Sequence, residues 1–363
     1  MESLEVMNDF EKYLYDSAIL NRIPISGTLE LTPLCNMNCD MCYIRLSKDE
    51  QERRGNLLSG KEWISFAKNA VNNGTLFILL TGGEPLLHPD FKEIYVEIKK
   101  MGVHITINTN GTLINDEIIE LFEKYPPRRI NITLYGKNDD TYLKLCKYPQ
   151  GYSKVIKAIR LLKEKNIQVK LNCTISKLNY NDFNDILNFA DSLNLPIEIP
   201  YYLFPKNRNH HKDNDFKLTA KEAAKLRFDT LLYYYNYDCE KVKKEINKTL
   251  NYIDNYSFNE KNEMPKGFWC ASRFNSFWIN WKGYVTSCGM IENPGLDILK
   301  MDFKHLWERL VKLTGEVELS KECFACKYHK LCNSCAAAMQ SETGNYNKVP
   351  KYKCEIKDVG TSL

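Results

Sequence analysis

Residues 32–43 read TPLCNMNCDMCY, which places Cys35, Cys39 and Cys42 in a C-x3-C-x2-C spacing. The stretch follows a short apolar-polar alternation, GTLELT (27–32), that reads as a β-strand. The cysteines then lie on a loop at that strand's C-terminal end, where βα barrels build their sites. Three chemistries compete for such a loop. A structural zinc site wants four ligands, so a fourth would have to come from elsewhere. A redox C-x-x-C leaves Cys35 unused. A 4Fe–4S cluster held by three thiolates keeps one iron open for a ligand, which a catalytic metal needs.

Working outward, the same strand–helix alternation continues for nearly two hundred residues. Strands are predicted at LFILLT (76–81), VHITINT (103–109), RINITLY (129–135), IQVKLNCTI (167–175) and IEIPYYL (197–203). Helices are predicted between them. One starts at a capping box on Ser59 and Glu62; others start at Asn115 and Ser153, and FKEIYVEIKK (91–100) stops at Gly102. NDFNDILNFADSLN (181–194) closes the series. Alternation of this kind implies βαβ units and a parallel sheet.

Five of the strands carry one apolar and one polar face, because successive side chains alternate across a strand. Thr28, Glu30 and Thr32 oppose Leu29 and Leu31; Thr106, Asn108 and Asn110 oppose Ile105 and Ile107. Asn131, Thr133 and Tyr135 oppose Ile130, Ile132 and Leu134; Lys170, Asn172 and Thr174 oppose Val169, Leu171 and Cys173. Glu198 opposes Ile197 and Ile199. A parallel sheet covered on both sides would be apolar on both faces. A shared polar face predicts a curved sheet around a hydrated lumen, with helices over the apolar outside.

The whole chain sets the limits. At 363 residues it is long enough for more than one core, and 44% hydrophobic with 26% charged residues is a globular composition. Fifty basic residues against 46 acidic ones give a net charge of +4, too balanced to argue for nucleic acid. No apolar run approaches the ~20 residues of a membrane span, and the N-terminus lacks a signal-peptide core. A cytoplasmic protein is expected. In a reducing compartment, thirteen cysteines point to metal or redox chemistry rather than disulfides. Cys146, Cys173 and Cys239 stand apart from the clusters and read as small core residues.

The loop spacing, together with TGGEP (81–85), NTNGTL (108–113) and NITLYG (131–136) at the ends of successive strands, resembles the radical S-adenosylmethionine (SAM) enzymes. The resemblance covers about residues 25–205 and implies a partial (β/α)6 TIM-like barrel. It implies that Cys35, Cys39 and Cys42 hold a 4Fe–4S cluster whose open iron chelates SAM. Reductive cleavage then yields a 5′-deoxyadenosyl radical that abstracts hydrogen from a C–H bond. By the same resemblance, Gly82 and Gly83 let the backbone approach the methionine amino group, with Glu84 as an acceptor nearby. Asn108 and Thr133 are candidate polar contacts to SAM, Lys147 a partner for its carboxylate, and Met41 a neighbour of adenine. His88 reads as a loop residue rather than a base.

Residues 206–262 read as a polar linker followed by a tyrosine-rich helical stretch over roughly 219–254. From about 263 cysteine, tryptophan and phenylalanine rise, and regular helix and strand signals fade. The cysteines there read C270-x12-G283-x4-C288, then C323-x2-C326-x5-C332-x2-C335, then Cys354 after eighteen more residues. This resembles the SPASM domain, an irregular extension stapled by two auxiliary 4Fe–4S clusters. It departs from the family pattern in having x2, not x3, between Cys332 and Cys335. The resemblance assigns Cys270, Cys288 and Cys335 to the first auxiliary cluster, and Cys323, Cys326, Cys332 and Cys354 to the second. Residues 271–287 contain no cysteine, so the first cluster is expected to keep an open iron, available to a substrate such as a peptide thiolate. Trp269, Phe274, Phe277, Trp278 and Trp281 are expected to pack around this region.

The expected division is an N-terminal extension (1–24), the barrel (25–205), the linker and helical segment (206–262) and the auxiliary-cluster region (263–363). SPASM-bearing relatives mostly modify peptides or proteins. The expected activity is therefore a peptide maturase forming a thioether or C–C crosslink, with a flavodoxin- or ferredoxin-type electron donor. About 25 residues precede the first strand, too few for a separate leader-recognition domain, so a separate leader-recognition protein is a possible partner. Two alternatives stand beside it. One is a radical dehydrogenase or epimerase acting on a peptide, a sulfatase-type protein or a small molecule; an epimerase would need a thiol such as Cys146, Cys173 or Cys239 at the lumen. The other is a non-enzymatic metal-stabilised binding module.

Overall fold

The structure is a computed structural model that describes residues 9–205, 216–244, 266–326, 328, 332 and 334–360. Six parallel strands follow one another in chain order: β1 (Ser26–Thr32), β2 (Phe77–Gly82), β3 (His104–Thr109), β4 (Arg129–Thr133), β5 (Val169–Asn172) and β6 (Ile197–Glu198). Helix α1 (Asp9–Asn21) precedes them. Helices α2 (Lys48–Arg54) and α3 (Gly60–Asn72) connect β1 to β2; α4 (Phe91–Lys100) and α5 (Asp116–Lys124) follow β2 and β3. Helices α6 (Asp139–Cys146) and α7 (Gly151–Glu164) follow β4, and α8 (Phe183–Ser192) follows β5. This is a mixed α/β fold with the parallel sheet of a partial TIM-like barrel.

The apolar strand faces make the core. Leu29, Leu31, Ile78, Leu80, Ile105, Ile107, Ile130, Ile132, Leu171, Cys173 and Ile197 are all buried and share one cluster with Trp63, Ile94, Phe122 and Ile159 from the helices. Each buried Leu or Ile contributes about 1.5–3 kcal/mol, so the outer face fixes the strand register. The opposite faces carry the polar residues. Glu30 pairs with Thr81, Asn108 with Asn131, and Asn131 with Lys170. Asn131 Nδ2 donates to Asn108 Oδ1 at 2.7 Å, and Arg129 Nε donates to Asn131 Oδ1 at 2.8 Å. Cys173, read as facing outward, lies fully buried beneath the helices.

Local signals hold where they are short-range. Ser59 and Glu62 form both halves of a capping box on α3, and Asn115 Oδ1 caps α5 through Ile118 N–H. Ser153 does not cap α7, which begins two residues earlier. Its backbone N–H is instead bound by Asp139 Oδ1, a cross-helix contact that sequence spacing cannot reveal. The predicted helix at 219–254 is also shorter as described. Helix α9 (Ala220–Tyr234) ends in a turn where Asn236 and Tyr237 take positive φ, and helix resumes over 239–244. Residues 245–254 of that prediction lie outside the described residues.

The C-terminal region is more regular than its sequence suggests. Strand β7 (Ser276–Ile279) pairs in parallel with β1, and β8 (Tyr284–Thr286) and β9 (Gly295–Asp297) follow antiparallel, giving the order β6-β5-β4-β3-β2-β1-β7-β8-β9. These strands are four, three and three residues long, too short for alternation to register. The Phe277 ring takes the space beside Gly27, where a Cβ would fall 2.3 Å from Phe277 Cζ, and it packs edge-on to Phe303. Phe303 opens a helix, Phe303–Glu316, whose Leu306, Trp307, Leu310 and Val311 are buried. Trp307 Nε1 donates to Arg22 O at 2.6 Å, tying this helix to the segment before β1. Among the described residues no helix is long and apolar enough to cross a membrane.

Candidate active site

The cysteine loop is held against the ends of β1 and β2 by backbone. Gly83 N–H donates to Thr32 O at 2.7 Å, Glu84 N–H to Leu34 O at 2.8 Å, and Leu46 N–H to Pro33 O at 3.0 Å. Gly82 has φ 152°, and a Cβ there would fall 2.3 Å from Thr32 O. At Gly83 a Cβ would fall 2.4 Å from Leu34 O. The space beside both glycines is thus filled by the loop's own carbonyls, a requirement the sequence did not suggest. On its far side the loop docks on the end of α6: Asn38 N–H donates to Cys146 O at 2.8 Å and Asp40 N–H to Leu145 O at 3.0 Å.

Within this frame the three thiols sit together. Cys35 Sγ faces two donors, Met37 N–H at 3.4 Å and Asn110 Nδ2 at 3.6 Å; Cys42 Sγ faces Arg45 N–H at 3.3 Å. Burial pushes the Cys35 thiol up to about 12, with Glu84 and the other two thiols adding to it. Burial, then Cys39, also raises Cys42. Cys39 is raised first by a hydrogen bond with the Cys146 thiol and then by burial. Cys146, read as a scattered core residue, therefore lies against a cysteine of the loop. Three neighbouring shielded thiols resist ionisation by themselves, while N–H donors stand ready for thiolates. A cationic iron–sulfur centre supplies the missing counter-charge, so the donor set fits such a group.

Glu84 joins the second motif to the third. It is fully buried, and its carboxylate accepts from Asn110 N–H at 2.8 Å, Thr109 Oγ1 at 2.8 Å and Leu86 N–H at 3.2 Å. Burial raises it to about 7 against the pull of these donors. Asn110 Nδ2 also donates to Asn36 Oδ1 at 2.8 Å, inside the cysteine loop. Asn110 was legible on the polar strand face and within NTNGTL, but its bridging needs residues 74 and 75 positions apart.

The other candidates are distributed around this centre. Asn108 and Thr133 lie on the inner strand faces, and Thr133 Oγ1 reaches Thr109 O at 3.5 Å. Met41 is buried in the core cluster. Lys147, left-handed at the end of α6, places Nζ 2.8 Å from Asp40 Oδ2 of the cysteine loop. His88 Nδ1 accepts from Asp90 N–H at 3.1 Å, so Nε2 carries the proton toward Leu58 O at 3.0 Å. Burial lowers this ring's pKa, and it serves as a structural tie.

The C-terminal thiols gather in two neighbourhoods. Cys288, pushed up to about 12 by burial, also feels Cys335 and Cys270. Cys323, raised by burial, also feels Cys332 and Cys326; Cys354, pushed up to about 11 first by burial, also feels Cys323 and Cys332. Cys323, Cys326, Cys332, Cys335 and Cys354 all line one cavity of about 230 Å³, so Cys335 adjoins both neighbourhoods. Among the described residues no three Cys, His, Asp or Glu side chains converge as a single-ion site requires.

Comparison with known proteins follows the same lines. Residues 29–190 match the Radical SAM superfamily. The sporulation killing factor maturation protein SkfB of Bacillus subtilis is 32% identical over 301 residues, covering 82% of this chain and 69% of that protein. An AdoMet-dependent heme synthase of Methanosarcina barkeri is 25% identical over 338 residues, covering 89% of this chain and 94% of that protein. The crystal structure of Streptococcus suis SuiB bound to precursor peptide SuiA superposes with a TM-score of 0.66 at 17% identity, covering 95% of this chain and 80% of that one. Native anSMEcpe with bound AdoMet and Cp18Cys peptide gives 0.67 at 18% identity, covering 93% and 95%. These two structures establish the shared fold. A partial barrel with a three-thiol loop after its first strand defines a class of SAM-dependent radical enzymes. The chain belongs to the radical SAM superfamily, with SPASM-bearing enzymes among its relatives. Membership implies a 4Fe–4S cluster and SAM.

Proposed function

We propose that this protein is a peptide-modifying radical SAM maturase that forms a thioether or C–C crosslink by oxidation. The observation that carries the reading is the 32% identity to the SkfB maturation protein across 82% of this chain. The fold shared with SuiB and anSMEcpe, both solved with bound peptides, adds support. Cys35, Cys39 and Cys42 would hold the SAM-binding cluster. The chemistry that cluster and SAM supply when bound is reductive S–C5′ cleavage, giving a 5′-deoxyadenosyl radical that abstracts hydrogen.

The protein's own part is positioning and shielding. Asn110 and the N–H groups of Met37 and Arg45 stabilise the thiolates. Glu84 fixes the turn that carries Asn110. Gly82, Gly83, Glu84, Asn108, Thr133, Lys147 and Met41 are the residues we assign to SAM. Cys270, Cys288 and Cys335 would hold a first auxiliary cluster with one open iron, and Cys323, Cys326, Cys332 and Cys354 a closed second one. A flavodoxin- or ferredoxin-type donor would supply electrons.

A second reading is favoured by length: the chain spans 94% of the Methanosarcina barkeri heme synthase. There the substrate would be a tetrapyrrole rather than a peptide. Anaerobic co-expression with candidate precursor peptides, read by mass spectrometry, tests the choice. A peptide lacking two hydrogens per new bond supports the maturase. An unmodified peptide, together with turnover of iron-coproporphyrin III, supports the other reading.

A further inference from the structure

The polar inner face of the barrel does not end at β1. Thr28 pairs with Trp278 across β1–β7, and Trp278 pairs with Thr286 across β7–β8. Directly paired residues project to the same side of a sheet, so the face that carries Glu30 continues onto the C-terminal strands. Glu30 is fully buried and accepts from Trp278 Nε1 at 2.9 Å. The same indole packs against Gly289, where a Cβ would fall 2.7 Å from three ring atoms. Gly289 directly follows Cys288. The ring therefore stands between the lumen and the segment that carries a candidate cluster cysteine.

Beside that ring lies a cavity of about 260 Å³, walled by Asn280, Tyr284, Thr286 and Ile291 with Lys282 and Glu292 among its lining residues. We infer that this cavity is a substrate subsite that takes the peptide segment flanking the reacting residue. The inference rests on the peptide reading above. Asn280 Oδ1 already accepts from Lys282 and Tyr284 N–H, Tyr284 OH donates to Asn293 Oδ1, and Thr286 Oγ1 donates to Cys288 O, which leaves Asn280 Nδ2 and the two hydroxyl lone-pair sites to meet peptide amides and small polar side chains. Lys282 and Glu292 balance each other, and the Lys282 ammonium also lies 5.9 Å from the Trp281 ring centre. A polycarboxylate ligand would call for several cations or forked guanidinium groups. The volume falls just under the ~300–1,000 Å³ of whole-ligand pockets, which suits a short segment rather than an entire ligand.

Hydrogen–deuterium exchange on the anaerobic holoenzyme with SAM tests this, with the co-expressed peptide and iron-coproporphyrin III as alternative probes. The peptide is expected to slow exchange across residues 280–293. Glu292→Lys and Lys282→Glu, both on exposed side chains, are each expected to raise the peptide KM about tenfold. Lys300→Glu, outside the cavity, serves as the control. A peptide that is modified without protecting 280–293, and with unchanged KM in both variants, overturns the subsite and leaves the peptide reading standing. Protection produced equally by SAM alone also overturns it. If no peptide is modified and iron-coproporphyrin III protects 280–293, the peptide reading and the subsite fall together.

Discussion

Glu84 Oε2 accepts the backbone N–H of Asn110 at 2.8 Å, and the side chain of Asn110 lies 3.6 Å from Cys35 Sγ. One buried carboxylate thereby sets the donor that faces a cluster cysteine. Burial raises its pKa from the ordinary 4.5 to about 7, so its contribution to stability is complete below pH 4.5 and is lost as pH rises through 7. Cluster-free protein should lose up to about 3 kcal/mol between those limits through this group. Glu84→Gln should flatten that slope in denaturant titrations run at several pH values.

Asn110→Ala removes a donor from Cys35 and a tie to Asn36. The expected outcome is a folded protein that loses iron faster from the SAM-binding cluster. Iron per chain, followed over time after anaerobic gel filtration against a chelator, measures it. Retention equal to wild type would limit Asn110 to shaping the loop.

Gly83→Ala drives a methyl group into Leu34 O, and backbone cannot give way as a flexible side chain can. A loss of about 3 kcal/mol or more is expected, in the range of severe strain and overpacking. Ser59→Ala, which removes half of a capping box remote from the thiols, should cost only about 1 kcal/mol and leave cofactor binding intact. Melting temperature together with SAM binding by equilibrium dialysis separates the two.

Cys354→Ser is expected to reduce about twelve irons per chain to about eight, by unseating one cluster of four. Iron and sulfide analysis of the anaerobic protein measures this. A wild-type value near four would leave the auxiliary clusters out and restrict the C-terminal thiols to another role.

Much of this was legible because it is local. Cys35, Cys39 and Cys42 lie within eight residues, and the Ser59 cap needs only three residues of separation. The polar inner face was legible because the alternation runs through stretches of six to nine residues, such as 27–32 and 167–175, beyond the hydrogen-bonded strands themselves. What escaped depends on contacts between distant segments. Cys146 meets Cys39 only because the loop docks on α6, and Glu30 meets Trp278 across 248 positions. β7 is specified by the edge of β1 and by the space that Gly27 leaves for the Phe277 ring more than by any alternation within its four residues.

Everything proposed for this protein requires the Cys35–Cys42 loop to hold a cluster with one iron open to SAM. The most direct test is the release of 5′-deoxyadenosine by anaerobic protein given SAM and a strong reductant. Wild type is expected to release it, and protein in which Cys35, Cys39 and Cys42 are all alanine is expected to release none. Iron-loaded wild-type protein that leaves SAM intact would contradict that requirement.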